Sequence, residues 1–396
     1  MSHSHPRGLF PPFPKGGRGD FSGANTGDTS PNPPHPPFEK GGRFSRRHFL
    51  AGLAALFAAP AFARPDPAEP VRLAAAWQAG TGYRVGILGF AGQETLAVEA
   101  ALDVPTRAHG LLWEASGTLL AVARRPGDWL LRWSAEGRPL AWRWIEPGRA
   151  FAGHVIASED GHTLFTTEID LDSGTGLIGV RDAGSLEKRA EWPTGGLDPH
   201  MLAHDTTRPG ALIVANGGVP TRPETGRLKL DLHRMDSSLA RLDARTGEAL
   251  GQWRLDDPRL SLRHLAWNGT RLGIALQAEH DDPAAKAAAP VLAVFDGATL
   301  RALPAAAPLA GYGGSIAALG DGFAVSCPRA QGVAVYAADG FRERIALAEV
   351  CPLASAQDRL WAGGRGVALG LAATAEPSAR RAVAPDIRLD NHWIAL

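Results

Sequence analysis

The chain has 396 residues, 44% of them hydrophobic and 21% charged, and its formal net charge is zero. Balanced charge leaves no electrostatic footprint for nucleic acid or an anionic membrane surface, and two cysteines, Cys327 and Cys351, exclude a disulfide framework. The 47 glycines and 31 prolines are many for a helical protein and suit a fold with many turns.

Residues 1–43 are rich in Pro, Gly and Ser, carry no apolar period, and echo themselves in "PPFPKGG" (Pro11–Gly17) and "PPFEKGG" (Pro36–Gly42). Such a segment buries too little apolar surface to offset its chain entropy. It is expected to be disordered, or a spurious extension upstream of the true start. Residues 44–63 read as a signal peptide. Arg46 and Arg47 form a twin arginine, an apolar run follows from Phe49 to Ala59, and Ala61 and Ala63 supply an A-x-A cleavage pattern. The run is too short to span a bilayer. The twin arginine followed by His-Phe-Leu resembles the signal of the twin-arginine export route. Cleavage would leave about 333 residues from Arg64, because 63 are removed. It would also take away 7 basic and 3 acidic side chains and leave a net charge of −4. The expected location is the periplasm, with no stable membrane span after signal removal and no nucleic-acid partner.

Beyond residue 64 three apolar runs come first, at 71–78, 83–90 and 94–102. A repeat then begins. His109, His154, His200 and His264 each stand at the head of a short apolar strand, 45, 46 and 64 residues apart. The last interval holds "GGVPTRPETGRLKLDLHRMDSS" (Gly217–Ser238), an inserted loop. After each histidine, short β-branched or aromatic runs alternate with Asp/Ser/Gly turns such as "EDGH", "DSGTG" and "DAGS". Three or four strands repeated at about 45 residues is the period of β-propeller blades. Inner strands are expected near 109, 154, 200, 264, 314, 351 and 392. The final one ends the chain without partners of its own, and the three N-terminal runs lack an inner strand. The expected fold is therefore all-β, a seven-bladed β-propeller over 64–396, its ring closed by the C-terminal strand joining the N-terminal strands.

In such a ring the residue at the head of each inner strand sits at one channel mouth. His109, His154, His200, His264 and His392 would converge there, with Gly314, Ser315 and Cys351 at the matching places of the other two blades. Converging imidazoles suit a transition metal: iron, copper or zinc. Arg107 and Arg263 flank ring histidines, Asn216 and Arg222 lie in or near the inserted loop, and Arg329 follows Cys327-Pro328. These five are the candidate contacts for an anion or an anionic metal chelate. Glu168 and Asp170 read as exposed turn acids, and a Cys327–Cys351 pair stays open. No Ser-His-Asp order stands out: Ser261 is three residues from His264, which on a strand means opposite faces. No catalytic residue is assigned, and whether the protein is an enzyme stays open.

The motifs of 151–235, "GH", "TTEIDLDSGTGLIGVRD", "PH" and "VANGGVPTRPETGRLKL", together with "SLRHL", "SCPR" and the terminal "DNHW", resemble a bacterial family known as domain of unknown function 1513. The resemblance covers nearly all of the chain after the signal. It implies a twin-arginine-exported periplasmic propeller like the YVTN-repeat and quinoprotein amine dehydrogenase β-chain group. It also implies partners, since members often occur beside imelysin-type and dihaem oxidase-like proteins in a setting linked to iron uptake. The expected function is thus metal or metal-chelate binding at a histidine-lined mouth, in iron or copper handling. The alternatives are a propeller enzyme, oxidoreductase or lactonase-like hydrolase, with its site at the same mouth, and a non-catalytic protein-interaction scaffold.

Overall fold

Apolar residues on both faces of short strands predict sheets covered on both sides, and the computed structural model is built of such sheets. It describes residues 71–90, 95–220, 229, 231–356 and 359–396. The N-terminal extension, the signal with Arg46, Arg47, Ala61 and Ala63, and Arg222 of the inserted loop lie outside the described residues.

The chain opens with β1 (Arg72–Ala79), β2 (Gly82–Gly89) and β3 (Thr95–Val104). Antiparallel four-stranded meanders follow, each in chain order. The first is β4 (Ala108–Trp113), β5 (Thr118–Ala123), β6 (Trp129–Ser134) and β7 (Pro139–Trp144). The next is β8 (Arg149–Ala157), β9 (Thr163–Asp170), β10 (Thr175–Asp182) and β11 (Lys188–Leu197). Then come β12 (Pro199–His204), β13 (Ala211–Asn216), β14 (Ser238–Asp243) and β15 (Ala249–Trp253). The gap between β13 and β14 is where the inserted loop was expected. After it run β16 (Leu260–Asn268), β17 (Arg271–Ala278), β18 (Leu292–Phe295) and β19 (Leu300–Leu303). Two more meanders are β20 (Ser315–Leu319) to β23 (Gly340–Ala346), through β21 (Gly322–Cys327) and β22 (Gly332–Ala337), and β24 (Leu353–Ala356) to β27 (Pro377–Val383), through β25 (Arg359–Gly364) and β26 (Val367–Ala372). The last strand, β28 (Arg388–Ala395), pairs antiparallel with β1. Both ends of the described chain therefore build one sheet, in the order β28-β1-β2-β3. A two-residue parallel bridge from Ala382 and Val383 to Thr95 and Leu96 ties β3 to β27.

Alternation within a strand sends successive side chains to opposite faces, and here both faces are covered. On β1, Leu73, Ala75 and Trp77 pack with Trp361 of β25 and Trp393 of β28. Ala74 and Ala76 point the other way, into a cluster with Leu119, Trp129 and Trp133. Other clusters join β4–β7 to β8–β11, β8–β11 to β12–β15, and so on to β24–β27. Each meander is thus packed between two neighbours, and the last returns to the first. This succession is a β-propeller, which shields its sheet edges by closure. Burying each of the large side chains contributes roughly 1.5–3 kcal/mol. Burial falls from β4, β8, β12 and β16 toward the last strand of each meander, where β7, β23 and β27 expose much of their length. A six-residue helix, Pro283–Ala288, capped by Asp282, is the longest helical element among the described residues.

Candidate functional site: a buried histidine cluster under a cationic cavity

The histidines sit on β4, β8, β12, β16 and β28, and in each strand the ladder breaks at the histidine. On β4, His109 and Gly110 stand opposite the single residue Val122. On β8, Ala152, Gly153 and His154 stand opposite Thr167 alone. His200 has no counterpart between Pro199 and Met201, Arg263 and His264 face Ala275, and residues 390–392 face Ala76. An extra residue bends the strand and re-aims its side chain, here toward the common axis. Glycine makes the close approach possible. Gly153 has φ +114, and a Cβ there would lie 2.7 Å from His109 Cδ2.

The five rings converge. His200 Nε2 lies 2.9 Å from His264 Nε2 and 3.4 Å from His109 Nε2, and His392 Nε2 lies 3.0 Å from His264 Nε2. One ring nitrogen from each of His109, His154, His200 and His264 falls within a 4.8 Å set. Those four are buried. Two nitrogens about 2.0–2.1 Å from one ion stand about 2.9 Å apart at a right angle and about 3.3 Å apart at the tetrahedral angle. The three Nε2–Nε2 contacts, at 2.9, 3.0 and 3.4 Å, fall close to that range, while the four-histidine set is bounded at 4.8 Å. Hydrogen bonding accounts for them less well. A neutral ring nitrogen offers one hydrogen or one lone pair, so His264 Nε2 cannot serve both His200 and His392 in full. His154 Nε2 has no protein partner, nor has Nδ1 of His109, His200 or His264.

Burial first, then the neighbouring imidazoles, keep these rings uncharged. His109, His154, His200 and His264 are held well below the ordinary histidine value. Burial also lowers His392, to about 4, although Asp390 pulls the other way. Uncharged imidazole is the metal-ligating form.

A cavity of about 270 Å³ adjoins the cluster. It is lined by His109, His200 and His264 and by five cations, Arg124, Arg125, Lys229, Arg263 and Arg329; Gln277, Tyr312 and Asn391 complete the wall. No carboxylate belongs to its described lining. The acids stand behind it. Asp198 accepts from Arg125 and, at 2.8 Å, from Arg263 Nη1. Glu279 pairs with Lys229, and with Lys286 at 3.6 Å. Arg263 is 0% exposed, and burial lowers its guanidinium to about 10. Burial likewise outweighs Glu279 and lowers Lys229 to about 8. Arg329 lies over the Tyr312 ring, 4.5 Å from its centroid.

Of the candidate anion contacts, Arg263 and Arg329 line this cavity. Arg107 does not: it grips Asp390, with Nη2 2.6 Å from Oδ1, and reaches Asn391 at 3.3 Å. Asn216 is fully buried between strands, donating to the Thr194 carbonyl and Ser238 Oγ at 3.2 Å each. Cys327 and Cys351 are both free, each thiol pushed up to about 12, chiefly by burial. Glu168 is not the exposed turn acid that its surroundings suggest. It is 0% exposed and bonds Arg181 and Lys188 at 2.7 Å each, because strand alternation turns it inward against a cation from the next strand. Sequence reasoning missed Arg124, Arg125, Gln277 and Tyr312, and the anchors Asp198 and Asp390. A usable signal existed for the last two. Asp198 and Asp390 each precede a cluster histidine by two residues, in "DPH" and "DNH".

Fold and site together define a β-propeller with a buried histidine cluster at its axis. The chain belongs to the family described as "Protein of unknown function (DUF1513)", whose model matches residues 102–396. Among solved structures, it is similar to the hydrazine synthase of Kuenenia stuttgartiensis, with a TM-score of 0.52 and 12% identity over 72% of this chain and 90% of that one. At such identity the likeness is one of fold. A nidogen/laminin complex (TM-score 0.45, 12% identity, 82% and 98% covered) and a protein of unknown function from Bacteroides caccae (TM-score 0.47, 10% identity, 83% and 99% covered) also match. No curated protein matches the chain. Among the described residues no helix is long and apolar enough to cross a membrane.

Proposed function

We propose that this chain is a seven-bladed periplasmic propeller that holds a transition-metal ion through His109, His154, His200 and His264, with His392 beside them, and serves iron or copper handling together with partner proteins. One observation carries the metal reading: four buried, uncharged imidazoles from four different meanders bring ring nitrogens within 4.8 Å. Burying four polar rings costs free energy unless something satisfies them, and an ion accepts their lone pairs at once. Imidazole suits iron, copper and zinc alike, so these three are the metals to test. The seven-blade reading counts the sheet β28-β1-β2-β3 as one blade and each four-stranded meander as another. The twin arginine and A-x-A pattern support export, and the family resemblance supports partners of the imelysin and dihaem oxidase-like kind.

The test is elemental mass spectrometry on the full chain, exported by its own leader and purified without a polyhistidine tag. Near-stoichiometric iron, copper or zinc is expected. It should be lost in an H154A/H200A/H264A variant whose circular dichroism matches the wild type. A folded wild type that takes up none of the three, even on reconstitution, overturns the metal reading and leaves the histidines as packing in a protein-binding scaffold.

A further inference from the structure

Arg263 is at odds with its surroundings. It is fully buried, yet only Nη1 is bonded, to Asp198; Nε and Nη2 have no protein partner. A buried charged donor left unpaired is costly. The two orphans lie side by side on one edge of the guanidinium, the edge that takes two oxygens of a carboxylate or phosphate in parallel hydrogen bonds. The bonded Nη1 is on the other side, where Gly217 permits the approach: a Cβ there would lie 2.8 Å from both Nη1 and Asp198 Oδ2. Arg263 is also the residue before His264, within the same bulge, and lines the cavity that His109, His200 and His264 line.

The rest of the cavity fits the same guest. Its described walls carry cations and neutral donors, with Arg329 exposed and Arg263 buried. Its volume, about 270 Å³, falls below the range of pockets that enclose drug-sized ligands. We propose that this cavity binds a small oxyanion, which places two oxygens on the Nε–Nη2 edge of Arg263 and a further oxygen on the metal ion held by the histidines. The inference rests on the metal reading for its last contact and on Arg263 for the first two. The ligand chemistry is shared by small dicarboxylates and by phosphate. In either case the protein handles an ion together with an anionic co-ligand, and the cations at the opening draw the anion in.

The experiment uses the exported full chain, loaded with Cu(II) and, in parallel, stripped with a chelator. Malonate and inorganic phosphate are titrated calorimetrically, and the electron paramagnetic resonance of copper reports whether the anion reaches the ion. One of the two anions is expected to bind the loaded protein and shift the copper spectrum. Arg263→Gln should weaken it at least tenfold, and Arg263→Lys, which keeps the charge but not the fork, should weaken it too. Arg329→Gln, at an exposed position, should weaken it less and guards against misfolding at the buried site. Malonate alone, or phosphate alone, identifies the source of the oxyanion. Copper bound but neither anion held, or held equally by the Arg263 and Arg329 variants, overturns the inference and leaves the metal reading standing. No copper, iron or zinc bound on reconstitution, with an anion held through Arg263, overturns both the metal reading and the anion-to-metal contact.

Discussion

Four imidazoles linked Nε2 to Nε2 have consequences for stability as well as for binding. In the unfolded chain each ring titrates near 6.5. In the folded metal-free protein all five resist protonation, His392 down to about 4 and the other four also well below the ordinary value. The unfolded state therefore binds more protons below pH 6.5. Stability is fully present above 6.5 and is lost as pH falls through 6.5 toward 4, at up to about 1.4 kcal/mol per pH unit for each ring. Urea midpoints of chelator-treated protein between pH 7.5 and 4.5 should fall more steeply for the wild type than for H154A/H200A/H264A. Parallel slopes would mean that the folded rings titrate normally and are not buried as a group. Much of this scale was legible from the chain, since a histidine recurring at strand heads predicts convergence once the strands form a ring. Arg124, Arg125 and Tyr312 were not. They come from turns and loops beside other strands, and no period links them to the histidines. Glu168 was misread because its partners Arg181 and Lys188 come from β10 and β11, and pairing across strands is not written in local composition.

At the scale of the strand, the bulge does the aiming. The sequence repeats the histidine but not the register break, which depends on the partner strand. Gly153 is where the two requirements meet. Its φ of +114 lies in the region that favours glycine, and the ring of His109 occupies the space a Cβ would fill. Gly110 packs against the same point, where a Cβ would lie 2.3 Å from the Gly153 carbonyl oxygen. Gly153→Ala should thus strain β8 and displace His109 together, at a cost of about 1–3 kcal/mol from the backbone alone. Metal affinity should fall with stability. Gly148 is the control, since its φ is +72 but no heavy atom stands within 4 Å of a Cβ there. Gly148→Ala should lose stability without losing metal. Equal metal uptake by the Gly153 and Gly148 variants in competition with a chromogenic chelator would show that His109 does not depend on the bulge.

The whole molecule depends on its two ends meeting. The first described strands and the last one make a single sheet, as the surplus of strands at one end and the lone strand at the other predicted. β28 gives β1 its second neighbour, and Trp393 completes the cluster that holds Trp77 and Trp361. The same short strand brings His392 to the cluster and Asp390 to Arg107. Removing residues 388–396 therefore exposes the edge of β1, opens a core cluster and leaves Arg107 without its acid. An open edge of this kind invites association between copies. The truncated chain should lose its cooperative thermal transition or aggregate. His392→Ala, which keeps β28 and Trp393, should melt within a few degrees of the wild type and differ chiefly in metal binding. The pair separates closure from chemistry, because one strand supplies both. If the truncated chain melts like the full-length protein in differential scanning calorimetry, β28 is an ornament on a ring held closed by other contacts. The two-residue bridge between β3 and β27 would then have to bear the closure, and breaking it by Thr95→Pro in the truncated chain would be the next measurement.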